Sequence, residues 1–98
     1  MISREHRTPL FRLGDIVATP GAISLLERTD THPLDLLLRH MRGDWGTVSE
    51  ADAIANRLAV EQGSRLLSVY LLGTPSEVLW IITEAGRHAT TLLLPTEY

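Results

Sequence analysis

The densest run of chemically capable side chains is RHMRGDWG, residues 39–46. It holds two guanidinium groups (Arg39, Arg42), an imidazole (His40), a carboxylate (Asp44) and an indole (Trp45), with glycines at 43 and 46. A rigid aromatic beside a cation and an anion, on a turn between helices, is a recognition set. Arg39, His40, Arg42, Asp44 and Trp45 are therefore candidate binding residues for a protein partner. The same residues also read as packing. Gly43 and Gly46 supply backbone angles that other residues resist, Asp44 bonds a nearby N–H, and Trp45 fills the core. A lone aromatic beside a turn more often packs than binds.

A catalytic reading stands beside these two. His40, Arg42 and His88 are candidate catalytic residues for metal-independent RNA cleavage, with Tyr70, Glu84, Arg87 and Thr90 as supporting types. Imidazole or carboxylate moves the proton, and arginine steadies the charge on phosphate. Helices followed by an antiparallel meander are similar in outline to small ribonuclease toxins, an analogy from fold alone. Those toxins are usually basic. This chain has nine basic and twelve acidic residues, a net charge of -3, which weighs against a nucleic-acid substrate.

Other chemistries lack their signatures. The four histidines, His6, His32, His40 and His88, include no pair at helical ligand spacing and no HExxH, so no metal site is expected. The chain has no cysteine, which removes disulfides, thiolate zinc sites and a Cys nucleophile. GxSxG, GxxxxGK[ST] and GxGxxG are all missing, and no cofactor is expected. Every basic residue is arginine. Arg4 and Arg7 lie in the N-terminal tail and the rest are dispersed, so duplex DNA binding is not expected. No apolar run suits a signal-peptide core or a membrane span, which points to a soluble cytoplasmic protein without membrane contact.

These residues need elements to position them. With 98 residues and 44% hydrophobic content, the chain reads as one globular domain over residues 9–98, after a flexible tail at 1–8. Residues 9–18 form an extended segment broken by the Gly14-Asp15 turn signal. Thr19 caps, and Pro20 starts, a short helix to about residue 28. Pro33 starts a second, in which Leu34, Leu37, Leu38 and Met41 make an apolar stripe, and Gly43 ends it. Ser49 and Asp52 resemble a capping box for a third, with Ala51, Ile54, Ala55 and Leu58 as its buried stripe and Gly63 as its stop. RLLSVYLL, VLWIIT and ATTLLL then read as strands joined by GTPSE and EAGRH. The fold class is α+β: an N-terminal extended segment, about three short helices, and a C-terminal three-stranded antiparallel meander, to which residues 10–18 can add a fourth strand at one edge.

The strands alternate poorly between polar and apolar. Val78, Trp80 and Ile82 oppose Leu79, Ile81 and Thr83, and Leu67, Val69 and Leu71 oppose Leu66, Ser68, Tyr70 and Leu72. A sheet with one wet face alternates more cleanly, so both faces should be covered. Helices cover one. The N-terminal segment, a partner or a second copy covers the other, which makes a homodimer the natural expectation.

RHMRGDWG and the tail GSRLLSVY…WIITEAGRHATTLLLPTEY resemble a family of small uncharacterised bacterial proteins, plasmid-related and associated with mobile elements. The resemblance covers about residues 14–98. It rests on the joint pattern RHxxGDWG, RLLSxY, WIITEA and TTxLLPxEY. Here that pattern falls on Arg39, His40, Gly43, Asp44, Trp45 and Gly46, on Arg65 to Ser68 and Tyr70, on Trp80 to Ala85, on Thr90 and Thr91, and on Leu93, Leu94, Pro95, Glu97 and Tyr98. It implies a bacterial or phage-related protein, an accessory factor in plasmid biology, and brings no activity, cofactor or catalytic residue with it. The first expectation is a non-enzymatic protein-interaction or modulator protein that uses residues 39–46 and the ends of the meander. The alternative is a small metal-independent RNA-cleaving enzyme.

Overall fold

The computed structural model describes residues 8–98. The expected tail therefore lies, except for Thr8, outside the described residues, as do Arg4, His6 and Arg7. From residue 9 onward the expected order holds. Strand β1 (Asp15–Ala18) leads into helices α1 (Pro20–Arg28), α2 (Pro33–Met41) and α3 (Glu50–Gln62). Strands β2 (Leu66–Leu72), β3 (Glu77–Thr83) and β4 (Ala89–Leu93) follow, with 3-10 turns at Ala85–Arg87 and Pro95–Glu97.

The capping residues act as their types require. Thr19 accepts the Ala22 N–H ahead of Pro20, and Ser49 accepts the Asp52 N–H at the start of α3. His32 caps α2 through its ring, with Nδ1 accepting the Leu34 N–H at 3.1 Å. Gly63 closes α3 at φ 75°. The sheet runs β1-β4-β3-β2, antiparallel within the meander and parallel between β1 and β4. The extended segment thus contributes the fourth strand, at the edge.

All three helices pack on one face of the sheet. Ala22, Leu25 and Leu26 of α1 and Leu36 and Leu37 of α2 meet Tyr70, Leu72, Leu79, Ile81 and Leu92. Each such fully buried leucine contributes about 2 kcal/mol. A second cluster joins Phe11, Trp45, Ala59 and Leu66. The opposite face presents Val17, Leu67, Val69, Leu71, Val78, Trp80, Thr91 and Leu93. There the C-terminal turn sets the Tyr98 ring edge-on to Trp80 at 5.6 Å.

Both helix stripes sit differently from the spacing of their apolar residues. In α2 the buried residues are Leu36, Leu37 and His40, while Leu34 is 51% exposed. In α3 they are Asn56 and Ala59, and the whole Ala51, Ile54, Ala55, Leu58 stripe faces outward. In each helix a polar residue with hydrogen-bond partners in the sheet has turned the helix toward itself.

Candidate functional site

His40 is fully buried and stands between two strands. Its Nδ1 lies 2.6 Å from Ser68 Oγ on β2 and its Nε2 lies 2.9 Å from Thr83 Oγ1 on β3. Thr83 Oγ1 lies 2.8 Å from Thr90 Oγ1, and Thr90 donates to the Leu13 carbonyl at 2.7 Å. That carbonyl can only accept, which fixes the direction of the whole chain. Thr90 uses its proton on Leu13, so Thr83 donates to Thr90. His40 Nε2–H then donates to Thr83, and the bare Nδ1 accepts from Ser68. The ring is a neutral tautomer with both nitrogens satisfied. Burial, aided by the nearby Arg87 charge, pushes its pKa down to about 3. Phe11 and Trp45 close around it, both edge-on, with ring centroids 5.1 and 5.7 Å away.

The rest of the 39–46 loop fastens this plug to the sheet. Arg39 grips Asp44 with two bonds, Nε to Oδ2 at 2.7 Å and Nη2 to Oδ1 at 3.2 Å. The same guanidinium lies over the Tyr70 ring at 4.5 Å. Tyr70 donates to the Asp44 carbonyl at 2.6 Å, and the Gly46 N–H donates to Asp44 Oδ1 at 3.2 Å. The Arg39 bonds hold the Asp44 carboxyl below its usual range. Trp45 is buried, and its carbonyl accepts the Val69 N–H while the Thr47 N–H donates to the Val69 carbonyl. One residue pair along, Asn56 does the same for Leu67, with Nδ2 donating to the carbonyl at 2.7 Å and Oδ1 accepting the N–H at 3.1 Å. The loop and Asn56 together close the outer edge of β2 at Leu67 and Val69.

The candidate catalytic residues are therefore held apart by exposure. His40 has no access to a substrate, whereas Arg42 at the end of α2 and His88 before β4 are exposed. Arg87, beside His88, is a strut. It donates to the Ala59 carbonyl at 2.7 Å and the Ser64 carbonyl at 2.6 Å, capping α3, and stacks over Phe11 at 5.5 Å. Among the described residues no group of histidine, cysteine and carboxylate side chains is placed to hold a metal ion, and no helix is long and apolar enough to cross a membrane.

The open chemistry lies at the other edge of the sheet. A groove of about 510 Å³ runs beside β1. Ile16, Ala18 and Leu92 form its floor, Ile23, Leu26 and Leu37 its apolar walls, and Glu27, Asp30 and His32 its rim. Ile16 and Ile23 are 54% and 46% exposed. A broader hollow of about 670 Å³ lies between residues 9–12 and the end of α3, with Arg12, Glu61 and Arg87 in its walls. The backbone parity of β1 matters most. Asp15 N–H donates to the His88 carbonyl and Thr19 N–H to the Leu92 carbonyl. Odd-numbered residues of β1 therefore face β4, and the N–H and C=O groups of Ile16 and Ala18 point away from the sheet. Among the described residues nothing pairs with them.

Sequence reasoning passed over the groove and the partners of His40. Ser68, Thr83 and Thr90 did leave a signal, since each interrupts an apolar strand on the face toward the helices. The groove left none, because its walls come from three elements. No protein-family model, no curated protein and no solved structure matches this chain.

Proposed function

We propose that the chain is a non-enzymatic interaction protein that takes a polypeptide partner in the groove bounded by β1, α1 and α2. The observation that carries this is the apolar floor of Ile16, Ala18 and Leu92, left open beside an unpaired strand edge. Concave, mainly apolar sites with a few polar groups at the rim are where ligands bind. The 39–46 set, the first candidate surface, is occupied with the protein's own sheet. Only Arg42 of that set is exposed with no side-chain hydrogen bond among the described residues. The resemblance to small plasmid-related bacterial proteins supports a modulator role, in which binding a protein is the whole activity. The test is a photo-crosslinking side chain installed at Ile23 of the full chain, with Ser76 in the β2–β3 turn as the control position. A defined polypeptide adduct at Ile23 and none at Ser76 is expected. Equal labelling at both, or no adduct at Ile23, refutes the reading.

A second copy of the chain is a separate partner, favoured by the outward stripe of α3. Ile54 and Leu58 are 44% and 51% exposed, with Ala51 and Ala55 between them. Small residues beside large ones let two helices approach closely. The homodimer forms through this face.

A further inference from the structure

We infer that the partner enters as an extended segment that adds a fifth strand to β1, with an apolar residue and a basic residue two positions apart facing the groove. This rests on the groove reading above and names its ligand class.

The two sheet edges are treated differently, β2 being covered at two of its three outward residues. At β2, Asn56 and the backbone of Trp45 and Thr47 take the outward N–H and C=O groups of Leu67 and Val69. At β1, the outward groups of Ile16 and Ala18 have no such cover among the described residues. An exposed edge invites strand addition, and proteins that do not use one usually block it with lysine, proline or a bulge. Residues 15–18 read Asp, Ile, Val, Ala: the strand is short and opens on a charge, yet Ile16 to Ala18 carry no lysine, proline or bulge. An added strand would gain main-chain bonds from Ile16 and Ala18, while its alternate side chains would lie over the groove.

The walls decide what those side chains are. Ile16, Ile23, Leu26 and Leu37 ask for an aliphatic residue. Glu27 and Asp30 sit further along the same groove and ask for a cation. The start of α2 also borders the groove and favours an anion, but its Leu34 N–H is already taken by His32. Two carboxylates therefore set the sign. They also argue against a second copy of β1 on this edge. A two-fold axis there would bring Asp15, Glu27 and Asp30 toward their own copies, with no arginine in β1 to offset them.

The probe is a fluorescein-labelled hexapeptide with valine at position 2 and arginine at position 4 among threonines, so that both lie on one strand face, titrated into the full chain and read by fluorescence anisotropy. Three comparisons accompany it: a valine–glutamate peptide, the valine–arginine peptide N-methylated on alternate amides in either register, and the chain carrying Glu27→Gln with Asp30→Asn. Valine–arginine is expected to bind. The acidic peptide, at least one methylated register and the double variant should each bind about tenfold more weakly, the size expected for one lost ion pair or backbone bond in a groove. The two substitutions are on the surface and leave the fold intact, which circular dichroism checks. Equal binding of the two charge types, or no loss with either methylated register, overturns the inference. So does failure of valine–arginine to bind while a polypeptide still crosslinks at Ile23, and that outcome leaves the groove reading standing.

Discussion

His40 has two hydroxyls for partners and no route to water, so its neutrality is a term in the stability of the protein. In the folded chain its pKa is about 3, and in the unfolded chain it returns to the usual value near 6.5. Between those values the unfolded state binds the extra proton. Stability therefore falls as pH drops below about 6.5, by about 1.4 kcal/mol per unit at the steepest. Urea unfolding at pH 7 and pH 5 should differ by about 2 kcal/mol in the native chain, and the difference should shrink markedly in His40→Gln. Bonds to Arg39, Arg28 and the α1 start hold the carboxyls of Asp44, Glu77 and Glu97 below their usual range, so these groups act at lower pH and leave the pH 5–7 window to the imidazole. A native chain equally stable at both pH values would refute the buried neutral tautomer. The Arg39–Asp44 pair is a smaller matter. Both side chains are about half exposed, and such pairs contribute about 0–1 kcal/mol. Its use is to hold the loop over Tyr70.

The 39–46 loop meets β2 at close quarters, and a comparison of two glycines separates space from backbone angle. Gly46 and Gly63 have nearly the same φ, 73° and 75°. A Cβ on Gly46 would lie 1.9 Å from the Val69 carbonyl oxygen, while one on Gly63 would meet nothing within 4 Å. Gly63→Ala should cost about 1–2 kcal/mol, the strain of a left-handed alanine alone. Gly46→Ala should cost about 4 kcal/mol or more, because it also parts the loop from β2. Denaturant midpoints measure both, and equal losses would mean that the loop does not rest on the strand. The sequence showed where these elements begin and end, because caps, prolines and glycines act locally. It misplaced the faces of α2 and α3 because periodicity counts apolar residues only. His40 and Asn56 are polar, yet each finds its full set of partners in the sheet, and that outweighs Leu34, Ile54 and Leu58 in setting the rotation of the helix. The candidate site at 39–46 was legible as a cluster but not as a plug, since Ser68, Thr83 and Tyr70 lie far along the chain. Many of the residues behind the family resemblance bond to one another across the fold. Arg39 meets Asp44 and Tyr70, His40 meets Ser68 and Thr83, and Trp80 packs on Tyr98.

At the scale of the whole molecule, what the helices' rotation leaves outside bears on how copies would meet in the proposed homodimer. The α3 stripe is self-complementary. If two copies cross antiparallel midway between Ile54 and Ala55, Ala51 lies opposite Leu58 of the second copy, so small faces large. One 13-residue helix offers a small interface, so the proposed dimer would be weak, with a dissociation constant on the order of micromolar. Sedimentation at rising concentration should move from the 10.9 kDa chain toward twice that mass. Leu58→Glu puts a charge into the stripe and should weaken association about tenfold or more while leaving the fold intact, because Leu58 is 51% exposed in the single chain. A Leu58→Glu chain that dimerises as well as the native chain would remove α3 as the contact.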